Sequence, residues 1–195
     1  MEYPLELSFK LLALAPQIAV RDAREQLVCY VRQKMFKLKE SVTVFADEAQ
    51  TRPMATIVAD RWLDFSARYR ISDASGRELG IVQRRGMRSL WKAHYEVERG
   101  GMPLFEIAEA NPWVKLIDGV VGEIPVVGMF TGYWLHPAYR VTHVGMKREV
   151  LRATKRPALW EGRYEIERFQ DVGEEEERLA TFAIIMMLLL ERTRG

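Results

Sequence analysis

The chain has 195 residues, 48% hydrophobic and 29% charged, which excludes a disordered or fibrous protein. A formal net charge of +2, from 29 basic and 27 acidic residues, leaves no electrostatic footprint for nucleic acid. One cysteine excludes an intrachain disulfide and a Cys-rich zinc site, and it fits a reducing, cytoplasmic compartment. The length suits a single domain over residues 1–195.

Near the N-terminus Leu5, Leu7 and Phe9 alternate with Glu6, Ser8 and Lys10, the period of a half-buried strand. The apolar stretch 11–15 is too short for the core of a secretion signal, so the N-terminus is expected to stay in the mature protein. Residues 11–23, interrupted by Pro16, read as a loop or a short helix. The run LVCYV at 27–31 is a strand in which Cys29 is expected to be a buried, inert thiol. Residues 32–39 are basic and alternating, Val42, Val44 and Phe45 form the next strand, 47–53 a polar turn and 56–59 another strand.

A unit of the form Tyr-x-Ile/Val-x then recurs, at Tyr69, Tyr95, Tyr139 and Tyr164. It places an aromatic and a β-branched side chain on one strand face, and the first three copies lead through glycine-containing links into another strand. These tyrosines are expected to pack a barrel, not to do chemistry. Residues 111–137 break the pattern as an irregular apolar excursion. They read as a loop over one barrel end that buries Trp113, Phe130 and Trp134, or else as a lip touching lipid or a partner.

The stretch 174–194 closes the chain. Its core, 179–190, carries no charge, with Thr181 its only polar side chain. Asp171 and Glu174 have capping-box spacing, and the acidic run after them suits the positive end of a helix dipole. No polar stripe recurs at helical spacing, so every face must be enclosed. Twelve residues rise only about 18 Å against about 30 Å of bilayer hydrocarbon, which argues for a surrounding tube of protein. Because the preceding chain reads mostly as strand, the expected fold is all-β: a barrel enclosing an apolar C-terminal helix.

No phosphate-binding loop, dinucleotide turn, nucleophile elbow or zinc-protease helix is present, and His94, His136 and His143 are scattered, so no cofactor or metal is expected. Asp60 and Asp64 are four apart in a turn-like segment and carry only a minor hydrolase alternative. Basic residues do cluster: Arg84, Arg85, Arg88 and Lys92 around Gly86, a second group at 32–39, and a third of Lys147, Arg148, Arg152, Lys155 and Arg156. Strand alternation should send Arg84 and Arg85 to opposite faces unless Gly86 introduces a bulge. Such clusters can hold a phosphorylated headgroup or simply solvate a barrel exterior.

The segments YVRQKMFKLKESVTVFAD, FSARYRISDASGRELGIVQRRGMRSLWKAHYEV and HPAYRV, with the apolar helix behind them, resemble the LURP-one-related proteins. The resemblance runs from about Leu27 to the C-terminus. It implies kinship with the phospholipid scramblases and the tubby C-terminal domain, hence a tubby-like closed barrel of about twelve strands around a central helix. Tubby domains bind phosphoinositide headgroups through basic surface residues. The scramblases' proline-rich leader, palmitoylated cysteine cluster and acidic calcium loop have no counterpart in this sequence, and no catalytic motif transfers.

The expected activity is therefore non-enzymatic recognition of anionic phospholipid, with Arg84, Arg85, Arg88, Lys92, Lys147 and Arg148 as candidate headgroup ligands. The expected location is cytoplasmic and peripheral at a membrane surface. Two alternatives stand beside it, a structural or protein-interaction domain and a small-molecule carrier barrel. Gly132-Tyr133-Trp134 matches the lipocalin G-x-W but lies mid-chain, and the helix would fill a carrier's cavity.

Overall fold

The computed structural model describes residues 1–10, 17–32, 41–60, 68–85, 93–110, 137–157 and 161–192. The first strands are β1 (Leu5–Lys10), β2 (Gln17–Arg21), β3 (Leu27–Arg32), β4 (Ser41–Phe45), β5 (Pro53–Ala59) and β6 (Arg68–Asp73). They continue as β7 (Glu78–Arg84), β8 (His94–Arg99), β9 (Met102–Ala110), β10 (Ala138–His143), β11 (Arg148–Arg156) and β12 (Glu161–Arg168). Each strand pairs antiparallel with the next, and β12 closes on β1 with Leu5 opposite Ile166 and Leu7 opposite Tyr164. The result is a closed twelve-strand barrel, which leaves no sheet edge to be protected.

The period-2 pattern decides which side chains turn inward. Leu5, Leu7 and Phe9, then Val42 and Val44, Tyr95 and Val97, and Phe105 and Ile107 form buried rows. The recurring tyrosines pack as expected: Tyr95 and Tyr139 are buried, and Tyr69 and Tyr164 lie half-buried against the same core. Cys29 is fully buried, and burial pushes its thiol up to about 12, so it is inert at neutral pH.

Two local readings change. Residues 17–21, within the stretch read as loop or short helix, form β2. Ile18, Ala19 and Val20 are all buried and the register shifts at Val20/Arg21, so covered apolar neighbours hide the strand period. At the helix start, Asp171 accepts a hydrogen bond from Gly173 N at 2.9 Å instead of capping three residues on. Gly173, at φ 83°, delivers the chain into the helix.

That helix, α1 (Glu174–Arg192), runs through the barrel. From Leu179 to Leu189 every residue is buried on every face, and Thr181 satisfies its hydroxyl by donating to Glu177 O at 2.8 Å. Among the described residues no helix is long and apolar enough to cross a membrane. The barrel wall meets α1 closely at Gly80, where a Cβ would lie 2.6 Å from the Glu98 carbonyl oxygen and 2.8 Å from Leu179 Cδ2.

Two outcomes follow from this packing. Each large apolar side chain of α1 contributes about 1.5–3 kcal/mol on burial, so together they exceed a typical net stability of about 5–15 kcal/mol. Truncation before Leu179 should leave an insoluble or molten chain, read as loss of a cooperative melting transition. Gly80→Ala should cost about 1–3 kcal/mol, because the nearest obstacle is backbone and cannot swing away. Denaturant titration reads that loss directly.

Candidate functional site

Because neighbouring strands alternate in direction, the barrel has two unlike ends. At the upper end α1 begins and five short hairpins turn, joining β2–β3, β4–β5, β6–β7, β8–β9 and β10–β11. At the lower end α1 finishes beside the last residues of β7.

The upper end holds α1 by a collar of ion pairs. Glu175 accepts from Arg77 of the β6–β7 turn at 2.8 Å and from Arg99 of the β8–β9 turn at 2.6 Å. Those two guanidinium hydrogen bonds, Arg77's foremost, hold the Glu175 carboxyl below its ordinary range. Glu176 lies 3.7 Å from Arg99 and 3.6 Å from His143 Nε2, Glu177 accepts from Arg168 at 2.9 Å, and Glu174 accepts from Arg178 at 2.6 Å. The acidic run thus does more than complement a dipole. It fixes the rotation of α1 against three hairpins and the end of β12.

On the face of α1 away from Glu176, a cleft of about 280 Å³ is lined by Leu27, Val28, Met54, Phe182, Asp22 and Arg178, among others. That is at the lower edge of small-molecule sites, which span about 300–1,000 Å³.

The lower end uses different chemistry. The Tyr95 hydroxyl donates to Glu191 Oε1 at 2.5 Å, and Arg84 lies 3.9 Å from the same oxygen with its guanidinium 5.9 Å from the Tyr95 ring centre. Burial, then the bond to Glu191, raises the Tyr95 phenol above its ordinary value. Arg192 stacks over Phe9 at 5.1 Å.

The candidate cations divide accordingly. Arg84 turns inward, its side chain 11% exposed, and is committed to α1. Arg85 points outward, 61% exposed, and pairs with Glu96 at 2.5 Å. This is the opposite-face arrangement that strand alternation demands, so the two do not converge. Arg88 and Lys92 lie outside the described residues, as do Asp64 and residues 111–136 of the excursion. Asp60 sits 3.5 Å from Arg70. Lys147 and Arg148 belong to the β10–β11 hairpin at the upper end. About 22 Å of helix separates Glu176 from Glu191, so they stand a barrel length from Arg84.

The β10–β11 hairpin is built to hold its tip. Lys147 N donates to His143 O at 2.8 Å, and Met146 N donates to His143 Nδ1 at 3.2 Å. The His143 ring packs edge-on against Phe105 at 5.4 Å, and its other nitrogen faces Glu176. Lys147 has φ 53°, a left-handed conformation that costs a non-glycine residue about 1 kcal/mol or more. Lys147 and Arg148 are exposed, and neither makes an ion pair among the described residues. Sequence clustering had put them beside Arg152 and Arg156, yet those two bond Glu149 at 2.7 Å and Glu165 at 2.6 Å. The signal that separates free from spent cations is the cross-strand partner, which sequence spacing does not carry.

Arg84→Gln should therefore lower stability by about 1–3 kcal/mol, since it leaves Glu191 with one partner fewer in a half-covered site. Arg85→Gln strips the buried Glu96 carboxylate, 10% exposed, of its cation and should likewise cost about 1–3 kcal/mol, although Arg85 itself is exposed. Paired denaturant titrations of the two variants check both losses.

Comparison with known proteins returned no match among curated proteins and none among solved structures. The sequence model of one family, described as LURP-one-related, matches residues 27–167, about seven-tenths of the chain, from the first residue of β3 to the penultimate residue of β12. With that span matched and the barrel complete around it, the chain belongs to the LURP-one-related family.

Proposed function

We propose that this LURP-one-related barrel is a non-enzymatic binding domain that recognises anionic phospholipid headgroups at a cytoplasmic membrane surface. The observation that carries the reading is the filled lumen. Leu179 to Leu189 occupy the axis with at most 3% exposure, so a ligand must be met on the outside of the barrel. This disfavours the carrier alternative, which needs an empty interior. Among the described residues the exterior offers exposed cations without ion pairs at Lys147 and Arg148, as also at Lys10, Arg32, Arg140 and Lys155, and a headgroup phosphate is the partner such point charges suit. The closed barrel around a C-terminal helix also agrees with the tubby-like resemblance, in which basic surface residues bind phosphoinositides.

Vesicle co-sedimentation tests the reading. Phosphatidylcholine vesicles doped with phosphatidylserine or a phosphoinositide should bind the protein at low salt. Binding should weaken toward physiological salt, where the Debye length shrinks to about 8 Å. Pure phosphatidylcholine should bind little. Equal binding to neutral and anionic vesicles, or none to either, would overturn it and leave the protein-interaction alternative.

A further inference from the structure

Five large hydrophobic residues are exposed among the described ones, and four of them, Met1, Met102, Met146 and Phe169, lie at the upper end. Three share one sector. Met102 is 71% exposed at the β8–β9 tip, and Met146 is 47% exposed at the β10–β11 tip. These hairpins are neighbours through the β9–β10 pairing, with Phe105 opposite His143 and Val144 N donating to Leu104 O at 2.9 Å. Phe169, 45% exposed, follows β12 and donates its N–H to Val150 O at 2.9 Å, so it flanks the same β11 strand. Apolar side chains at adjacent tips form a convex ridge, not a groove.

The charges around that ridge are unequal. Most of its nearby acids are engaged, Glu149 by Arg152, Glu175 by Arg77 and Arg99, and Glu176 beside Arg99 and His143, while Glu106, opposite Thr142, makes no ion pair among the described residues. The cations Lys147 and Arg148, directly after Met146, make no ion pair among the described residues. Unpaired cations beside exposed apolar tips match an anionic lipid surface, where apolar side chains enter the headgroup layer and cations meet phosphates. Protein–protein interfaces deplete Lys and place their hot spots in desolvated pockets, whereas Lys147 stands exposed at a hairpin tip.

We propose that the paired tips of the β8–β9 and β10–β11 hairpins are the membrane-docking surface. Met102 and Met146 are its apolar anchors, Lys147 and Arg148 its headgroup contacts, and the barrel axis stands upright on the bilayer with its upper end down. This rests on the lipid-binding reading and adds to it the surface, the orientation and an apolar component. His143 is a positioning residue, because its ring nitrogen holds the Met146 backbone and ties the tip to α1.

The test uses the full chain and the doped vesicles above. Met102→Ser with Met146→Ser should weaken binding roughly tenfold, since two side chains that enter the headgroup layer are lost, with an unchanged melting curve because both are exposed in the free protein. Lys147→Gly removes a charge while easing a left-handed backbone, so it should weaken binding roughly fivefold without destabilising the fold. Lys10→Gln, at the lower end, is the charge-matched control and should leave binding unchanged. Because Cys29 is fully buried, an environment-sensitive dye can be placed on Met146→Cys or on Lys10→Cys. The first should shift to the blue on vesicles and the second should not. If the parent binds no vesicle, this proposal falls together with the lipid reading. If the parent binds and the serine variant binds equally, or the dye at position 10 shifts instead, only the docking surface is wrong. If the tip variants alter the oligomeric state by gel filtration and leave vesicle binding intact, the ridge joins two copies of the chain and the proposal is overturned.

Discussion

Enclosure of a helix that is apolar on every side is the constraint on which the rest of this structure depends. Water must be kept from Leu179 to Leu189 all the way round, and a closed barrel does this without leaving a strand edge unpaired. The wall must then be apolar inward and free to be polar outward, the alternation that runs through β1, β4, β8 and β9. Space is tight enough that β7 presents bare backbone at Gly80 to admit Leu179. The interior is spent on stability, and binding is left to the outside.

A buried rod also needs its ends held, and here the charges have their main use. Glu175, Glu176 and Glu177 at the start of α1 reach Arg77, Arg99, His143 and Arg168, while Glu191 at its finish takes Tyr95 and Arg84. Long-range pairs of this kind fix the rotation and depth of α1, which apolar packing alone leaves free to slide. A basic cluster in the sequence is consequently a poor guide to a basic surface. Arg84 belongs to the helix, Arg85 to Glu96 and Arg156 to Glu165.

Most of the architecture was legible in the sequence because two periods write it plainly. Alternation marks β1, β4 and the tyrosine-bearing strands, an apolar β-branched run marks β3, and the unbroken apolar run marks α1 and its need for a sheath. β2 was missed where a register shift and a covered Ala19 erased the alternation, and Asp171 kept capping spacing while bonding Gly173. The candidate site was less legible. Strand parity foretold that Arg84 and Arg85 would diverge, but nothing local names Glu191 or Glu96 as their partners. Those pairs come from barrel closure and the threading of α1. Arg88, Lys92 and residues 111–136 lie outside the described residues, and Lys147 and Arg148 differ from Arg152 and Arg156 only in that the latter two find Glu149 and Glu165.

The family match covers β3 to β12, yet the barrel closes only through β1 and β2, and its core is α1. Ten strands alone would expose two edges, at β3 and β12, and an apolar lumen. The matched segment and the flanking elements therefore depend on each other, the first supplying wall and hairpins, the second closure and filling. The upper hairpins show the consequence. The β8–β9 and β10–β11 turns lie within the matched span, but Arg99 and His143 in them are held by Glu175 and Glu176 of α1. Through His143 Nδ1 the same contact reaches the backbone of Met146. The hairpin surface is thus presented by the helix that the barrel encloses, and a shift of α1 along its axis would pull on those tips as it pulls on Arg77 and Arg168.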